Sequence, residues 1–236
     1  MDQANIYPCL PTRYEGKIHG LPMTFQAEPH SIVVNRVGKR FVSENDFNIG
    51  EALDTRAEDG SPINLPCYII GDCRFLTQSL AFRWYASYDP GWIKKAGSIS
   101  ELASLLNLPE VALEETVKRW NAFCATGEDL DFRRGENRWE DYKAHGPMNR
   151  LKPIDRPPYV GMTLNRSILG TKGGARTNEY GQVLRMDGSI ITGLYAAGLA
   201  MSNPIGTRAV GAGTTIGPNL TWGFICAETI LSRNNS

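Results

Sequence analysis

The alternation of apolar and polar residues predicts strands in the first third of the chain. Residues 31–42 place β-branched side chains on both sides of an Asn35–Gly38 turn, which is the pattern of a β hairpin. A second short strand is predicted over 68–70, ending at Gly71. Residues 1–29 are expected to form an irregular lead-in, because prolines and glycines interrupt them: Pro8, Pro11, Pro22, Pro29, Gly16 and Gly20.

Two helices are predicted from capping signals and from apolar periodicity. Ser98 and Glu101 have the spacing of a capping box at the start of a short leucine-rich helix. A longer helix is expected from about Pro109 to Thr126, with Gly127 placed to end it. Its apolar residues recur at helical spacing and predict a core-facing stripe of Leu113, Val117, Trp120 and Cys124.

The pattern changes after the long helix. Residues 127–158 are charged and aromatic and end in a proline cluster, which is typical of a crossing between domains. Beyond them we predict a strand over 159–164, a hairpin closed by Asp187 and Gly188, and a short buried strand over 193–198. A last helix from about Pro218 to Ser232 is expected to face inward with Leu220, Phe224, Ala227 and Leu231.

Composition excludes several classes of function. The chain has 25 Lys+Arg and 25 Asp+Glu, whereas a surface for nucleic acid or anionic lipid is usually basic. No apolar run approaches the roughly 18–20 residues of a membrane-spanning helix, and no secretory signal pattern is present, so we expect a soluble, cytoplasmic chain. The five cysteines show no CxxC pair, which favours free thiols and predicts no metal site.

The glycine-rich stretch over 203–219 carries the clearest chemical signal. Gly211, Gly213 and Gly217 lead into the first turn of the last helix, where unpaired N–H groups and the helix dipole favour electron-rich oxygens. The spacing imitates a dinucleotide fingerprint, but too few residues follow for a βαβ unit with its acidic residue about 20 positions on. Taken by itself, the stretch is equally consistent with a turn that packs a helix on a strand.

Several ordered segments together resemble a known family. Residues 173–178, 181–184, 187–190, 193–198 and 213–223 are similar to the C-terminal segment of flavoproteins of the fumarate reductase and succinate dehydrogenase superfamily. The closer resemblance is to the 3-ketosteroid Δ1-dehydrogenase branch. Upstream, 32–44, 68–75 and 113–121 resemble the substrate-binding cap of the same family. The resemblance covers about residues 28–232.

This resemblance implies an α/β fold in three parts. Residues 1–29 lead in from the FAD domain, 30–152 form a mixed α+β cap, and 153–236 form the C-terminal segment of a Rossmann-like FAD domain. The family's N-terminal nucleotide-binding half has no match in this sequence. The chain is then a fragment, or a subunit whose missing half lies on a second chain, or a homologue that has lost its activity.

The resemblance also assigns candidate site residues. Six are expected beside the flavin: Gly174, Gly198, Leu199, Thr215, Ile216 and Leu220. The N–H groups of Thr215 and Ile216 would reach the pyrimidine carbonyl, where negative charge gathers on reduction.

Four further residues are candidates for catalysis. Arg208 would clamp a substrate carboxylate and Gly213 would offer its N–H to a carbonyl oxygen. Arg74 is a second arginine candidate, with an ion pair to Asp72 as the alternative. Glu44 is a candidate proton relay, with an ordinary exposed acid as the alternative. The branch's two tyrosines are replaced, the first by Ala209 and the second near Phe47 or Asn48.

The implied function is FAD-dependent oxidation or reduction of a carbon–carbon bond next to a carbonyl. The expected substrate is a small ketone, enone or unsaturated acid. The alternative is a non-catalytic binding or assembly module without flavin. Because strands and helices of the C-terminal segment would lack their usual neighbours, we also expect association with another chain.

Overall fold

The computed structural model describes residues 4–22, 28–88, 90–136, 151–211 and 213–234. The chain divides into two compact units. The larger unit is Tyr7–Ser167, and the smaller unit combines Met1–Ile6 with Ile168–Ser236. The predicted cap boundaries of 30–152 stay a prediction. Part of the predicted crossing between domains, 137–150, lies outside the described residues.

The described strands form a six-stranded sheet and a separate hairpin. The strands of the sheet are β1 (Ala4–Tyr14), β2 (Lys17–Pro22), β3 (Ser31–Val34), β4 (Cys67–Asp72), β5 (Ile93–Ala96) and β6 (Tyr159–Thr171). Their order is β2-β1-β6-β4-β3, with β5 also paired to β6. The mixed α/β class predicted from the sequence is confirmed.

The irregular lead-in predicted over 1–29 is wrong for the described part of that segment. β1 and β2 form an antiparallel pair in which Cys9 lies opposite Pro22 and Tyr14 opposite Lys17. Glu15 and Gly16 make the turn between them with positive φ angles of 49° and 75°. Pairing with neighbouring strands outweighs the local disfavour of proline and glycine, because β propensity depends strongly on tertiary context.

Five α-helices lie among the described residues of the larger unit. They are α1 (Ile49–Leu53), α2 (Cys73–Gln78), α3 (Leu80–Tyr88), α4 (Ile99–Leu106) and α5 (Glu110–Thr126). The predicted capping box is confirmed, since the Ser98 hydroxyl accepts from the Glu101 N–H at 3.1 Å. The predicted long helix is also confirmed: it ends at Gly127, whose φ is +82°.

The core of the larger unit lies on both faces of the sheet. Alternate residues of a strand point to opposite faces. Val33 and Ile69 pack with Phe75 and Phe82 in one buried cluster. Ile32 and Ile70 belong to a second buried cluster, which contains Leu102, Leu113 and Trp120 of the helices that cover the other face.

The hairpin predicted over 31–42 is only partly formed. Its turn is present, because the Asn35 N–H donates to the Lys39 carbonyl at 2.9 Å. The second arm is reduced to one bridge between Val34 and Arg40. β3 pairs instead with β4, the strand predicted over 68–70.

The smaller unit contains the end of β6, a hairpin of β7 (Gln182–Leu184) and β8 (Ile190–Tyr195), and the last helix α6 (Ile216–Asn234). The predicted turn at Asp187 and Gly188 is confirmed, because the Gly188 N–H donates to the Arg185 carbonyl at 3.0 Å. β8 is largely exposed, so its predicted burial is wrong.

The apolar stripe of α6 is not buried as predicted. Leu220, Phe224 and Leu231 are 70%, 67% and 61% exposed. Their spacing does place them on one side of the helix, as the sequence indicates. Within the described parts of the chain, no helix is long and apolar enough to cross a membrane.

Candidate functional site

The glycine-rich loop before α6 is fixed by one buried threonine. The Thr214 hydroxyl accepts from the N–H groups of Val210 and Gly211, each at 3.2 Å. The same hydroxyl donates to the Gly211 carbonyl at 2.5 Å. Gly213 has a φ of +85°, which a side chain would disfavour. These hydrogen bonds fix the backbone of Val210 and Gly211 relative to the start of α6. Gly213 is exposed to solvent.

A second segment of the smaller unit is held against the turn at 198–203. The Ala175 N–H donates to the Ala200 carbonyl at 3.0 Å, and the Ser202 N–H donates to the Ala175 carbonyl at 2.8 Å. Gly174 permits this approach, since a Cβ there would lie 2.5 Å from the carbonyl carbon of Met201. Gly174 therefore has a packing role independent of any cofactor.

A small cavity of about 40 Å³ lies between the end of β6 with Lys172 (169–172), the turn at 198–203, Asn5 of β1 and Thr215, which directly precedes α6. Leu199 and Thr215, two of the expected flavin neighbours, line it together with Thr171, Lys172 and Asn203. The structure thus brings together two of the six predicted residues in one cavity.

The other predicted flavin neighbours lie close by in the chain but do not line the cavity. Gly198 has a positive φ of 66°, and an added Cβ would lie 3.9 Å from Cγ of Asn219 on α6. Ile216 and Leu220 are exposed on the first turns of α6. Direct contact between the flavin and any of the six residues stays a prediction.

Lys172 was missed by sequence reasoning. Its side chain is 5% exposed, and its Nζ has no hydrogen-bond partner among the described residues. Burial lowers the pKa of this ammonium group. The only sequence signal was its position immediately before Gly173 and Gly174, next to the segment 173–178 already singled out.

The four catalytic candidates divide between the units. Arg208 and Gly213 are both exposed in the loop before α6, where the prediction requires them to face a ligand. Arg74 and Glu44 belong to the larger unit.

Arg74 forms ion pairs and a hydrogen bond with neighbouring residues of the larger unit. Its guanidinium forms ion pairs with Asp72 and Asp155. It also donates to the Pro153 carbonyl at 3.0 Å. This geometry favours the ion-pair alternative over substrate binding.

Glu44 is fully buried rather than exposed. Its carboxylate accepts from Arg40 Nε and Arg40 Nη2, both at 2.9 Å, and from the Val33 N–H at 3.0 Å. Burial by itself raises the pKa of Glu44, but the charges of Arg40 and Arg134 outweigh it and leave the pKa below its ordinary value. A carboxylate held this firmly in its charged form is suited to holding segments together rather than to relaying protons.

The surface around the cavity fits the ring of a flavin. Leu199, Ile216 and Leu220 are apolar side chains that are 50%, 67% and 70% exposed, which suits contact with a flat ring. The unpartnered Nζ of Lys172 suits an electron-rich ring edge. A cavity of about 40 Å³ admits an edge of the ring, while the rest must lie outside it.

A glycine-rich loop that leads into the start of a helix, within a mixed α/β fold, is typical of sites that hold a nucleotide cofactor. Residues 7–216 match the model of a family described as FAD binding domain. The chain therefore belongs to the FAD binding domain family, and FAD is the cofactor of that family. The predicted membership in a flavoprotein superfamily is confirmed.

Relatives place the chain near the ketosteroid dehydrogenases. It is 36% identical over 223 residues to a 3-oxosteroid 1-dehydrogenase of Mycobacterium tuberculosis, covering 87% of this chain and 39% of the relative. It is 32% identical over 228 residues to a 4-oxocyclohexanecarboxylate 2-dehydrogenase of Sinomonas cyclohexanicum, covering 93% of this chain and 40% of the relative.

A solved structure agrees with these relatives. The 3-ketosteroid delta1-dehydrogenase from Sterolibacterium denitrificans, in complex with 1,4-androstadiene-3,17-dione, matches with a TM-score of 0.84 and 28% identity. The match covers 98% of this chain and 44% of that chain. The chain thus spans about 40% of the length of the curated relatives it matches.

Proposed function

We propose that this chain supplies the flavin-ring side and the substrate contacts of an FAD-dependent oxidoreductase. The reaction is oxidation or reduction of a carbon–carbon bond next to a carbonyl, in a small ketone, enone or unsaturated acid. The observation that carries the proposal is the cavity between Leu199 and Thr215 at the start of α6, within a chain of the FAD binding family. The named activities of the relatives support the same reaction class.

In this proposal FAD supplies the acceptor or donor of hydride when bound. The chain's own residues orient the substrate. Gly213 offers its backbone N–H to the carbonyl oxygen, which polarises the neighbouring carbon–carbon bond. Arg208 holds a carboxylate where the substrate has one, since a guanidinium fits a carboxylate in two parallel hydrogen bonds. Glu44 and Arg74 are left out because each is engaged in ion pairs of the larger unit.

The complementary nucleotide-binding half is part of the proposal. It lies on a second chain or on a longer form of this polypeptide. Exposed apolar residues on the smaller unit support this, because a surface of this kind usually contacts another protein surface. The rival function, an assembly module without flavin, is supported by Ala209 at the place of a family tyrosine.

Flavin content tests the proposal against this rival. Protein purified from its own cells should show flavin absorbance that bleaches on reduction with dithionite. Leu199→Asp should weaken FAD binding about tenfold or more, because it places a carboxylate against an electron-rich ring. Leu194→Asp is the matched control, since Leu194 and Leu199 are 48% and 50% exposed. Colourless wild-type protein would favour the assembly module.

The proposed role of Arg208 predicts a difference between substrates. Arg208→Ala should raise KM for an unsaturated acid about tenfold or more, since a charge-assisted hydrogen bond is lost. The KM for a neutral ketone should change far less. Arg185→Ala in the β7–β8 turn serves as the control, and steady-state kinetics on both substrates measure the contrast. Equal losses on acid and ketone would discard the carboxylate clamp.

A further inference from the structure

The ammonium group of the buried Lys172 makes no hydrogen bond within the described parts of the chain. Lys172 directly follows β6, and its carbonyl accepts from the Asn203 N–H at 3.1 Å, so its backbone is fixed. Its Nζ is buried without a hydrogen-bond partner among the described residues, and the residue is 5% exposed. The three N–H donors of this ammonium group are thus enclosed without an acceptor among the described residues.

An enclosed ammonium group without a hydrogen-bond partner destabilises the folded state. Buried charges in proteins are normally paired, because the loss of hydration is otherwise uncompensated. None of the described residues lining the cavity is acidic: its polar members include Thr171, Asn203 and Thr215. Burial is the only influence on the pKa of Lys172, which agrees with the lack of a nearby carboxylate among these residues. The compensating group must therefore come from outside them.

The size of the cavity limits what that group is. Its volume of about 40 Å³ exceeds the roughly 10–15 Å³ that one enclosed water needs, so it has room for a polar group of a few atoms. It admits a carbonyl or carboxylate oxygen but not a whole substrate. Leu199 and Thr215, which share the cavity, are both expected flavin neighbours, and α6 begins at Ile216 with the positive end of its dipole.

We propose that Lys172 donates a hydrogen bond from Nζ to the pyrimidine edge of the flavin and thereby favours the reduced, negatively charged ring. This inference rests on the proposed function, because it requires FAD to bind at this cavity. Lys172 and the N-terminus of α6 then act on the same edge of the ring. The alternative acceptor for this hydrogen bond is a substrate carboxylate, whose oxygen also attracts an ammonium group.

The test compares the affinities of oxidised and dithionite-reduced FAD. Wild type, Lys172→Met and Lys172→Arg are purified from the native cells, with exposed Lys94→Met on β5 as the matched control. Lys172→Met should change the ratio of the two dissociation constants about tenfold or more in favour of oxidised FAD. Lys172→Arg and Lys94→Met should keep the wild-type ratio.

A second measurement separates a ligand-binding lysine from a structural one. Without flavin, Lys172→Met should raise the Tm, because it removes an unpartnered buried charge. A lowered Tm, or failure of this variant to fold while Lys172→Arg folds, would show a structural role and overturn the inference.

The remaining outcomes are also decisive. An unchanged ratio in Lys172→Met overturns the inference and leaves the proposed function intact. If the variant instead weakens binding of fumarate with the ratio unchanged, Lys172 contacts substrate rather than flavin, and the inference also falls. If wild-type protein binds FAD in neither state, the proposed function and the inference fail together.

Discussion

At the scale of single residues, four buried charges tie two distant segments of the larger unit, 40–44 and 129–134, together. Arg40 forms two hydrogen bonds with Glu44 and two with Asp129, at 2.9–3.0 Å. Arg134 adds an ion pair to Glu44 at 3.3 Å. Both guanidinium groups lie over the ring of Trp120, at 4.8 and 4.9 Å from its centroid. Removing one member would leave its partners charged and buried, which is strongly destabilising.

This network predicts how stability depends on pH. Burial alone raises the pKa of Asp129, but its bonds with Arg40 outweigh burial and lower it, as for Glu44. A carboxylate with a depressed folded pKa stabilises the protein above its unfolded pKa, which is about 4. That stability is lost as the pH falls through the folded pKa. Urea unfolding should therefore give constant stability above about pH 5 and a decline below about pH 4.

Glu44→Gln tests the source of this decline. We expect it to lower the free energy of unfolding by about 3–5 kcal/mol near neutral pH and to flatten part of the acid dependence. Exposed Glu179→Gln is the control and should behave as wild type. If the free energy of unfolding of Glu44→Gln fell with decreasing pH as steeply as that of wild type, other carboxylates would control acid unfolding.

At the scale of elements, local signals predicted α4 and α5, whereas α1, α2 and α3 were not predicted. α4 begins at the Ser98 cap and α5 ends at Gly127, as the sequence indicates, because a cap satisfies the free N–H and C=O groups of a helix end. β1 and β2 were missed because prolines and glycines interrupt their sequence, and because β1 also pairs with β6, which lies far along the chain. For α6 the apolar stripe was predicted, but its exposure was not.

The exposed stripe on α6 predicts association with another polypeptide. Phe224→Glu should reduce the assembled fraction, because it introduces a charge at the centre of the stripe. Met186→Glu is the control, since Met186 is 96% exposed in the turn of the β7–β8 hairpin and lies outside the stripe. Sedimentation velocity measures the assembled fraction. Wild-type protein that sediments as a well-behaved monomer would contradict the prediction.

At the scale of the whole molecule, the two units differ in how completely they are packed. The larger unit holds two clusters of buried apolar residues, one on each face of its sheet. Among the described residues of the smaller unit, only Val183, Met201 and Cys226 are buried apolar side chains. This contrast accords with a chain that spans about 40% of the length of its relatives. The smaller unit is the part expected to gain stability from FAD and from the complementary half.

The sequence by itself determined the α/β class, the capped helices, the β7–β8 turn and the flavoprotein family. The caps and the turn depend on residues near one another in the chain. The family is recognised from short motifs that occur in a fixed order along the sequence. Only the tertiary structure decided that Glu44 is held by two arginines, that Arg74 is paired with Asp72, and that Lys172 is buried with no partner for its Nζ among the described residues. Burial and pairing depend on which distant segments fold against a side chain, and no local pattern of residues carries that information.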